Sequence, residues 1–226
     1  MKLNPKLVLG PLLLVALALL AAVGYLYSLR LSRPLVKILP GQEIRSYEGK
    51  DLSSVNDFRE NSIKGPQTVE INSYRLKVTG LVAQPQELTY DQVLGKYQSY
   101  QKVVTLNCVE GWSATILWQG ALLRDLLADA KPQPGATTVI FHAVDGYTES
   151  FPLKYFYYND IILAYKMNGV TLTPDRGFPF QLVAESKWGY KWIKWIDRIE
   201  LSSDANYQGY WEQRGYSATG SLDQPF

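Results

Sequence analysis

The hydrophobic and polar positions of this chain separate a long apolar segment near the N-terminus from an alternating, strand-like pattern in the remainder. From Leu7 to Leu29 the sequence has 23 consecutive residues without a charged side chain, enough for a helix that crosses a bilayer with some tilt. Tyr25 and Tyr27 lie where interfacial aromatic residues occur in such helices. The pattern therefore predicts one N-terminal transmembrane helix, an anchor within residues 1–29.

A cleaved secretory signal is the alternative interpretation of this segment. Ala16-Leu17-Ala18 and Leu20-Ala21-Ala22 resemble small-residue cleavage sites, but the apolar stretch is longer than most signal-peptide cores, which favours an uncleaved anchor. We expect a single-pass membrane protein with its domain on the extracytoplasmic side. The positive-inside rule hardly discriminates the two orientations, because basic residues lie on both sides of the span: Lys2, Lys6, Arg30, Arg33, Lys37 and Arg45.

The segment after the anchor, residues 30–58, is polar and contains Pro34, Pro40 and Gly41. This composition is typical of a linker. The sequence therefore predicts a linker that holds the folded part away from the membrane, followed by a domain over residues 59–226.

The pattern within the domain predicts many strands and a few short helices. Residues 74–82 alternate between apolar and polar side chains, as a half-exposed strand does, and Thr89 and Gln92 match a capping box that opens a short helix. A second helix is predicted from the spacing of Leu122, Leu123, Leu126 and Leu127. Further strand-like runs, separated by turn residues, lie at 137–143, 160–167, 178–184 and 192–201. The predicted fold class is α+β, strand-dominated, without an internal repeat.

The composition fits one globular domain with a short appendage. The chain has 226 residues, of which 46% are hydrophobic and 19% charged, so it can bury a substantial core. A net charge of +2 gives no nucleic-acid signature, and we expect no nucleic-acid partner. The 6 tryptophans and 16 tyrosines suit a β-rich fold or an aromatic-lined pocket.

Cys108 is the only cysteine and ends the apolar run 103–108. A single thiol forms neither an internal disulfide nor a Cys-based zinc site, so its chemical role would be that of one soft ligand or a nucleophile. The alternative is a small buried hydrophobic residue without chemistry. His142 is the only histidine, which excludes a multi-histidine metal site and makes a Cys–His pair depend on these two residues meeting. The sequence also has neither a Walker loop nor a GxGxxG motif after a first strand.

Basic and aromatic residues alternate near the C-terminus, in residues 176–181 (RGFPFQ) and 187–195 (KWGYKWIKW). Such interleaving can hold an aromatic, phosphate-bearing ligand by stacking and charge. An exposed amphipathic strand is the alternative, because strand side chains alternate between two faces.

Taken together and in order, four segments carry a family resemblance: residues 105–112 (TLNCVEGW), residues 142–150 (HAVDGYTES), the Gly177-Phe178-Pro179 turn and residues 188–196 (WGYKWIKWI). The combination resembles the molybdopterin-binding domain of the sulfite oxidase family, over about residues 59–216. Its layout is most similar to small bacterial members of the methionine sulfoxide reductase catalytic-subunit type. The resemblance implies a strand-dominated, sulfite-oxidase-type fold with mixed sheets.

The resemblance also implies a site for molybdenum-molybdopterin. Cys108 falls at the family's molybdenum-ligating cysteine, and Lys194 is the implied charge partner of the cofactor's phosphate. The sequence departs from the family where Arg176 replaces an asparagine or histidine and Gln181 replaces an arginine. Asn61 matches an early cofactor-contacting asparagine, with a plain turn residue as its alternative. The full set of implied cofactor-binding residues is Asn61, Cys108, His142, Ala143, Arg176, Gln181, Trp192, Ile193 and Lys194.

The family's reaction is two-electron oxygen-atom transfer, so the resemblance implies a small-molecule oxo donor or acceptor as substrate. The chain lacks the cysteines and histidines to hold a haem or iron–sulfur cluster, which implies a separate electron-transfer partner, a haem or quinone-linked membrane protein. The N-terminus has no twin-arginine signal, although folded export of a cofactor-loaded domain needs one. Either the anchor delivers the domain by an atypical route, or the domain faces the cytoplasm. The alternative function is a degenerate or cofactor-free extracytoplasmic binding module, in which Cys108 is merely buried.

Overall fold

The computed structural model describes residues 20–21 and 41–226. The expected membrane anchor, except for Leu20 and Ala21, and the first part of the expected linker lie outside the described residues. Within the described part of the chain, no helix is long and apolar enough to span a membrane. Residues 41–226 belong to one compact unit.

Twelve strands and three helices are present in the described part of the chain. The strands are β1 (Ser46–Tyr47), β2 (Lys50–Asp51), β3 (Leu76–Gly80), β4 (Gln86–Leu88), β5 (Ser99–Asn107), β6 (Ser113–Leu122), β7 (Thr138–Ala143), β8 (Thr148–Pro152), β9 (Ile162–Met167), β10 (Val170–Thr171), β11 (Gln181–Val183) and β12 (Ile196–Ser202). The helices are α1 (Tyr90–Lys96), α2 (Leu123–Ala130) and α3 (Leu153–Tyr158). Short 3₁₀ turns lie at Pro174–Arg176, Gly189–Lys191 and Glu212–Arg214.

Two five-stranded sheets form the body of the domain. The first has the order β10-β9-β6-β5, with β11 also paired to β9, and the second has the order β4-β3-β12-β7-β8. All pairs are antiparallel except β12 with β3, which is parallel. The prediction of a strand-dominated α+β fold with mixed sheets is confirmed.

One hydrophobic core joins both sheets and α2. It contains Ile116 and Trp118 from β6, together with Phe141 from β7 and Ile199 from β12. Of the leucines that predicted the second helix, Leu123, Leu126 and Leu127 are buried on one side of α2, as expected for an amphipathic helix. Leu122 is instead the last residue of β6. The core therefore holds the end of β5 in a fixed position relative to the second sheet. Cys108 is the residue that follows β5.

The capping box that predicted the first helix is present. Thr89 Oγ1 accepts a hydrogen bond from Gln92 N at 3.1 Å, and Gln92 Oε1 accepts one from Thr89 N at 2.8 Å. These reciprocal bonds satisfy two backbone donors that the first helical turn leaves without partners. Helix α1 begins at the next residue, Tyr90.

The expected last strand, residues 192–201, is only partly formed, because β12 begins at Ile196. The four residues 190–193 are all buried, which one alternating strand face cannot achieve. A 3₁₀ turn and the left-handed backbone of Trp195, with a φ of 53°, shape this segment into a folded loop. The alternative of an exposed amphipathic strand at 187–195 is therefore wrong. The run 178–184 contains only the short strand β11.

The described part of the expected linker, residues 41–58, packs on the domain. Leu52, Val55 and Phe58 are buried, and β1 and β2 form a small hairpin. Glu43 accepts hydrogen bonds from Ser54 Oγ at 2.6 Å and Asn168 Nδ2 at 3.2 Å. Although the segment is polar on average, Leu52, Val55 and Phe58 recur at intervals of three residues. Because these three side chains are buried, the segment is part of the folded unit.

Candidate functional site

A cleft of about 480 Å³ opens beside Cys108. Its walls come from five parts of the chain that are distant in sequence, at residues 58–65, 106–112, 145–147, 181–195 and 211–216. The cleft contains most of the residues that the sequence pattern singled out, together with several tyrosines and tryptophans. A cavity of this size and mixed polarity suits a cofactor-sized ligand.

Cys108 lies at the end of β5, in the turn that leads into β6. Its N–H donates to Trp112 O at 2.9 Å, and its carbonyl accepts from Gly111 N at 3.1 Å. The residue is 7% exposed, and burial raises the pKa of its thiol. The Glu110 carboxylate raises this pKa further, whereas the backbone of Val109 and Glu110 and the charge of Arg59 lower it. The raised pKa favours the thiol over the thiolate at neutral pH.

Asn61 contacts Cys108 from the loop before the first long strand. Its Nδ2 donates to Cys108 Sγ at 3.7 Å, and its side chain also binds the exposed Glu110 carboxylate. Hydrogen bonds from Asn61 and Trp112 lower the pKa of Glu110. The structure therefore brings Asn61, expected from the family pattern, directly to the cysteine.

The folded loop 188–195 reaches Cys108 because Gly189 has no side chain. A Cβ on Gly189 would lie 3.3 Å from Cys108 Cα and 3.3 Å from Asn107 O. Trp192, Ile193 and Lys194 all line the cleft, as expected. Trp192 Nε1 donates to the carbonyl of Lys187 at 3.0 Å, which fixes the indole in the wall.

Lys194 is not a free cation in this arrangement. Its Nζ lies 2.7 Å from Glu60 Oε1 and 3.4 Å from Asp175 O, and it stands over the Trp195 ring. Burial lowers the pKa of Lys194, while Glu60 and Asp175 act in the opposite direction. A ligand phosphate would therefore compete with Glu60 for the Lys194 ammonium, or bind the ammonium together with Glu60.

Arg176 and Gln181 each keep a buried polar atom without a partner among the described residues. Arg176 Nε donates to Val55 O at 3.2 Å and Nη2 approaches Asp175 Oδ2 at 3.4 Å, but Nη1 has no partner. Gln181 lines the cleft with its Oε1 unpaired, and Ser62 Oγ, also in the cleft wall, is unpaired too. Arg176 itself is outside the cleft lining.

These unpaired atoms test whether the cleft fits a molybdopterin. Leaving a buried donor or acceptor unsatisfied costs about 1 to 3 kcal/mol, so such atoms indicate a missing polar partner. A pterin with its phosphate offers both donors and acceptors, and Gln181 and Ser62 line the cleft together with the single soft ligand Cys108. No group of three or more His, Cys, Asp or Glu residues in the described chain is arranged to hold a metal ion. The residues present fit a metal that arrives with its own sulfur-donor cofactor.

His142 and Ala143 lie on β7 and do not line the cleft. His142 Nε2 is 3.0 Å from Glu200 Oε2, and Nδ1 is 3.0 Å from Arg198 Nη2. Burial and the charge of Arg198 lower the pKa of this histidine. These partners occupy both ring nitrogens, so the structure does not form the Cys–His pair that the sequence left open.

Several cleft residues were not identified individually from the sequence. Asp145 is buried in the wall, where Tyr147 N donates to its Oδ1 at 2.9 Å and burial raises its pKa. Aromatic side chains supply much of the remaining wall, among them Phe58, Trp112, Tyr147, Tyr190, Trp211 and Tyr216. The high tryptophan and tyrosine content indicated an aromatic-lined pocket, but only the fold shows which rings take part.

Comparison with known proteins gives consistent matches. Residues 63–211 match the family described as oxidoreductase molybdopterin binding domain. The chain is 34% identical over 156 residues to the uncharacterized oxidoreductase YuiH of Bacillus subtilis (strain 168), a match that covers 69% of this chain and 78% of that protein. It is 33% identical over 175 residues to the protein-methionine-sulfoxide reductase catalytic subunit MsrP of Gluconobacter oxydans (strain 621H), with 67% of this chain and 56% of MsrP covered.

A solved structure shares the fold. The sulfane dehydrogenase SoxCD from Paracoccus pantotrophus superposes with a TM-score of 0.61 and 22% identity, over 67% of this chain and 43% of that one. At this identity the likeness concerns the fold alone. The chain thus spans little more than half of MsrP and less than half of the SoxCD chain.

Proposed function

This chain belongs to the oxidoreductase molybdopterin-binding domain family, of sulfite-oxidase type, and from that premise we propose that it transfers an oxygen atom to or from a small molecule. It is a molybdenum cofactor-dependent oxidoreductase. The bound molybdenum-molybdopterin supplies the two-electron redox chemistry. The observation that carries the proposal is the cleft itself, which is lined by the buried Cys108 and by Gln181 and Ser62, each with a buried polar atom that has no partner among the described residues.

Cys108 is proposed as the molybdenum ligand. Its thiol must lose a proton to bind a metal, and burial opposes that loss in the free protein. The N–H groups of Val109 and Glu110 and the amide of Asn61 are the donors that stabilise negative charge on the sulfur. Trp192, Ile193 and Lys194 are proposed to hold the pterin and phosphate end of the cofactor, with Gln181 as a further polar contact.

The charges around the cleft support a neutral oxo compound as substrate. Lys194 is paired with Glu60, and the exposed Glu110 carboxylate lies two residues beyond Cys108. Arg59 also lines the cleft, and its charge acts on that carboxylate. Among the described residues of the cleft wall, the one buried ammonium that an oxyanion such as sulfite would meet is Lys194, which is already paired with Glu60, whereas a sulfoxide or N-oxide needs no such cation. We therefore expect sulfoxides or N-oxides to be the better substrates.

Electron exchange is proposed to use a separate partner, either a haem protein or a quinone-linked membrane protein. This sequence has one cysteine and one histidine, which are too few to hold a haem or an iron–sulfur cluster in addition to the molybdenum site. The uncharged segment Leu7 to Leu29 supports membrane anchoring beside such a partner, with the domain on the extracytoplasmic side.

The decisive experiment measures molybdenum content, visible spectrum and turnover on protein from a host that makes molybdopterin. We expect the wild type to contain molybdenum and to reduce small sulfoxides or N-oxides with an artificial electron donor. Cys108→Ser and Cys108→Ala should fold and retain pterin, but their sulfur-to-molybdenum charge-transfer absorption should change and their turnover should collapse. Ala114→Ser, which places a hydroxyl at a buried position in the neighbouring strand, is the matched control and should behave as the wild type.

Two results would contradict this proposal in different ways. If Cys108→Ser matches the wild type in both spectrum and turnover, Cys108 is not the ligand. If the wild type acquires neither molybdenum nor pterin in a competent host, the chain is instead a cofactor-free binding module with a structural cysteine.

A further inference from the structure

Lys191 is a fully buried lysine in the loop that lines the cleft, and the proposed oxygen-atom transfer does not use it. Its side chain is 1% exposed. The ammonium donates to Glu149 Oε1, to Glu212 Oε1 at 2.7 Å, and to the carbonyls of Ser150 and Ala218, each at 3.1 Å. All three hydrogens of the ammonium therefore have acceptors inside the protein.

The two carboxyl groups around Lys191 outnumber its single positive charge. The side chains of Glu149 and Glu212 are 0% and 2% exposed, and the Oε2 atom of each has no partner among the described residues. Burial, and then the neighbouring Glu212 carboxyl, raise the pKa of Glu149 well above its ordinary value. One proton held between the two carboxyl groups would make the cluster electrically neutral, consistent with the side-chain interaction with Glu212 that raises the pKa of Glu149.

The three members of the cluster come from three separate parts of the fold. Glu149 belongs to β8, and Lys191 lies between two cleft residues, Tyr190 and Trp192. Glu212 belongs to the C-terminal segment 207–221, which we call the strap. The strap carries Trp211 and Tyr216, and both rings line the cleft.

Two glycines show that the strap is fitted closely to this cluster. A Cβ on Gly209 would lie 2.7 Å from Glu212 Oε2 and 2.6 Å from Thr148 O. A Cβ on Gly220 would lie 2.4 Å from Lys191 Cγ, and Gly220 has a positive φ of 54°. Side chains at either position would push the strap away from the cluster.

We propose that Lys191 is a positioning residue, which acts through Glu149 and Glu212 to hold the strap against the domain so that Trp211 and Tyr216 complete the cleft wall. Only the kinetic consequence rests on the proposed function, because the position of the strap can be measured without turnover. Removal of the ammonium leaves two buried carboxyl groups without their shared cation, and the strap loses its central attachment.

Hydrogen exchange tests the position of the strap directly. In Lys191→Met, backbone amides of residues 207–221 should exchange about tenfold faster or more, while the core strands keep their protection. Lys77→Met, at an exposed position on β3, is the matched control and should leave the strap unchanged. Glu212→Ala removes the carboxylate acceptor on the strap and leaves the Ala218 carbonyl and the neutral Lys191–Glu149 pair in place. It should loosen the strap in the same direction, and it tests the proposal if Lys191→Met does not fold. Wild-type protection of the strap in either folded variant would overturn the proposal.

The shared proton gives a pH readout that a purely structural contact would not give. Because the folded-state pKa of Glu149 is raised, its contribution to strap stability is lost as the pH rises through that value. Normalised strap exchange in the wild type should therefore increase as the pH rises through the folded-state pKa of Glu149, which lies well above the ordinary carboxyl pKa. Glu212→Gln keeps the shape of the side chain but has no acidic proton, so strap exchange in this variant should not increase with pH. An equal pH dependence of strap exchange in the wild type and in Glu212→Gln would contradict the shared proton. The other titratable groups near the cluster are Tyr147, Tyr190 and Lys187.

Steady-state kinetics of the loaded enzyme give the functional readout. A displaced cleft wall should raise KM about tenfold in Lys191→Met or Glu212→Ala and change kcat by less than about threefold, and Glu212→Gln should restore the wild-type KM. An unchanged KM in variants with a loosened strap would contradict the role of the strap in the cleft. Absence of turnover in the wild type would instead contradict the proposed function. The hydrogen-exchange data would still test whether Lys191 holds the strap in place.

Discussion

The amide nitrogen of Asn61 lies 3.7 Å from the sulfur of Cys108, across 47 residues of sequence. The same amide binds the carboxylate of Glu110, two residues beyond the cysteine. Asn61 therefore joins the loop at residues 58–65 to the turn that holds the thiol. An N–H directed at the sulfur favours a thiolate over a thiol, which is the form that binds a metal.

The thiol of Cys108 should be unreactive in the cofactor-free protein. Because burial raises its pKa, the midpoint of its alkylation rate against pH should lie above that of a free cysteine, and denaturation should lower the midpoint. Glu110→Gln removes a charge that raises this pKa, so alkylation near pH 8 should become about threefold faster. Glu87→Gln, at an exposed position on β4, is the control. A wild-type midpoint at or below that of free cysteine would contradict this prediction.

Lys194 should contribute to cofactor retention separately from its ion pair with Glu60. The side chains are only 13% and 15% exposed, so Lys194→Met alone should cost about 2 kcal/mol or more of unfolding free energy. The double variant Lys194→Met/Glu60→Gln should recover most of that stability. Cofactor occupancy should still fall in both, because a charge-assisted contact of about 1.5 to 3 kcal/mol is lost. Glu60→Gln is the control, and full occupancy in the double variant would assign Lys194 to the ion pair alone.

Glu43 should stabilise the domain at neutral pH and lose this effect in acid. Burial acts to raise its pKa, but hydrogen bonds from Ser54, Val55 N and Asn168 outweigh burial and lower it. A depressed folded-state pKa gives stability that is present above the ordinary carboxyl pKa and is lost as the pH falls through the folded value. Glu43→Gln should therefore cost about 1 to 3 kcal/mol at pH 7 and much less at an acidic pH below the folded-state pKa of Glu43. Chemical denaturation at both pH values measures this, with the exposed Glu48→Gln as control.

The uncharged segment Leu7 to Leu29 should anchor the full chain in membranes. The complete protein is expected to sediment with membranes and to resist carbonate extraction, whereas a variant that begins at Gly41 is expected in the soluble fraction. Recovery of the intact full-length chain in the soluble fraction would contradict the anchor. Protease access in intact cells then determines the side of the membrane on which the domain lies.

Local features of the sequence determined several elements of this protein. The capping box at Thr89 specifies the start of α1, and the spacing of the leucines specifies the buried face of α2. Both features depend on contacts within a few residues. The alternation at 74–82 and the run ending at Cys108 indicated strands in the same way. The family resemblance identified Cys108, Asn61 and residues 192–194, which the fold does bring to one cleft.

Only the tertiary structure decided which distant residues meet. The sequence pattern did not show that Lys194 pairs with Glu60, that Lys191 is buried with Glu149 and Glu212, or that His142 faces away from the cleft toward Glu200 and Arg198. The physical reason is that hydrophobic periodicity reports burial along one element. Ion pairs, shared protons and cleft walls depend instead on which loops pack together, and that packing is set by the joint burial of both sheets in one core.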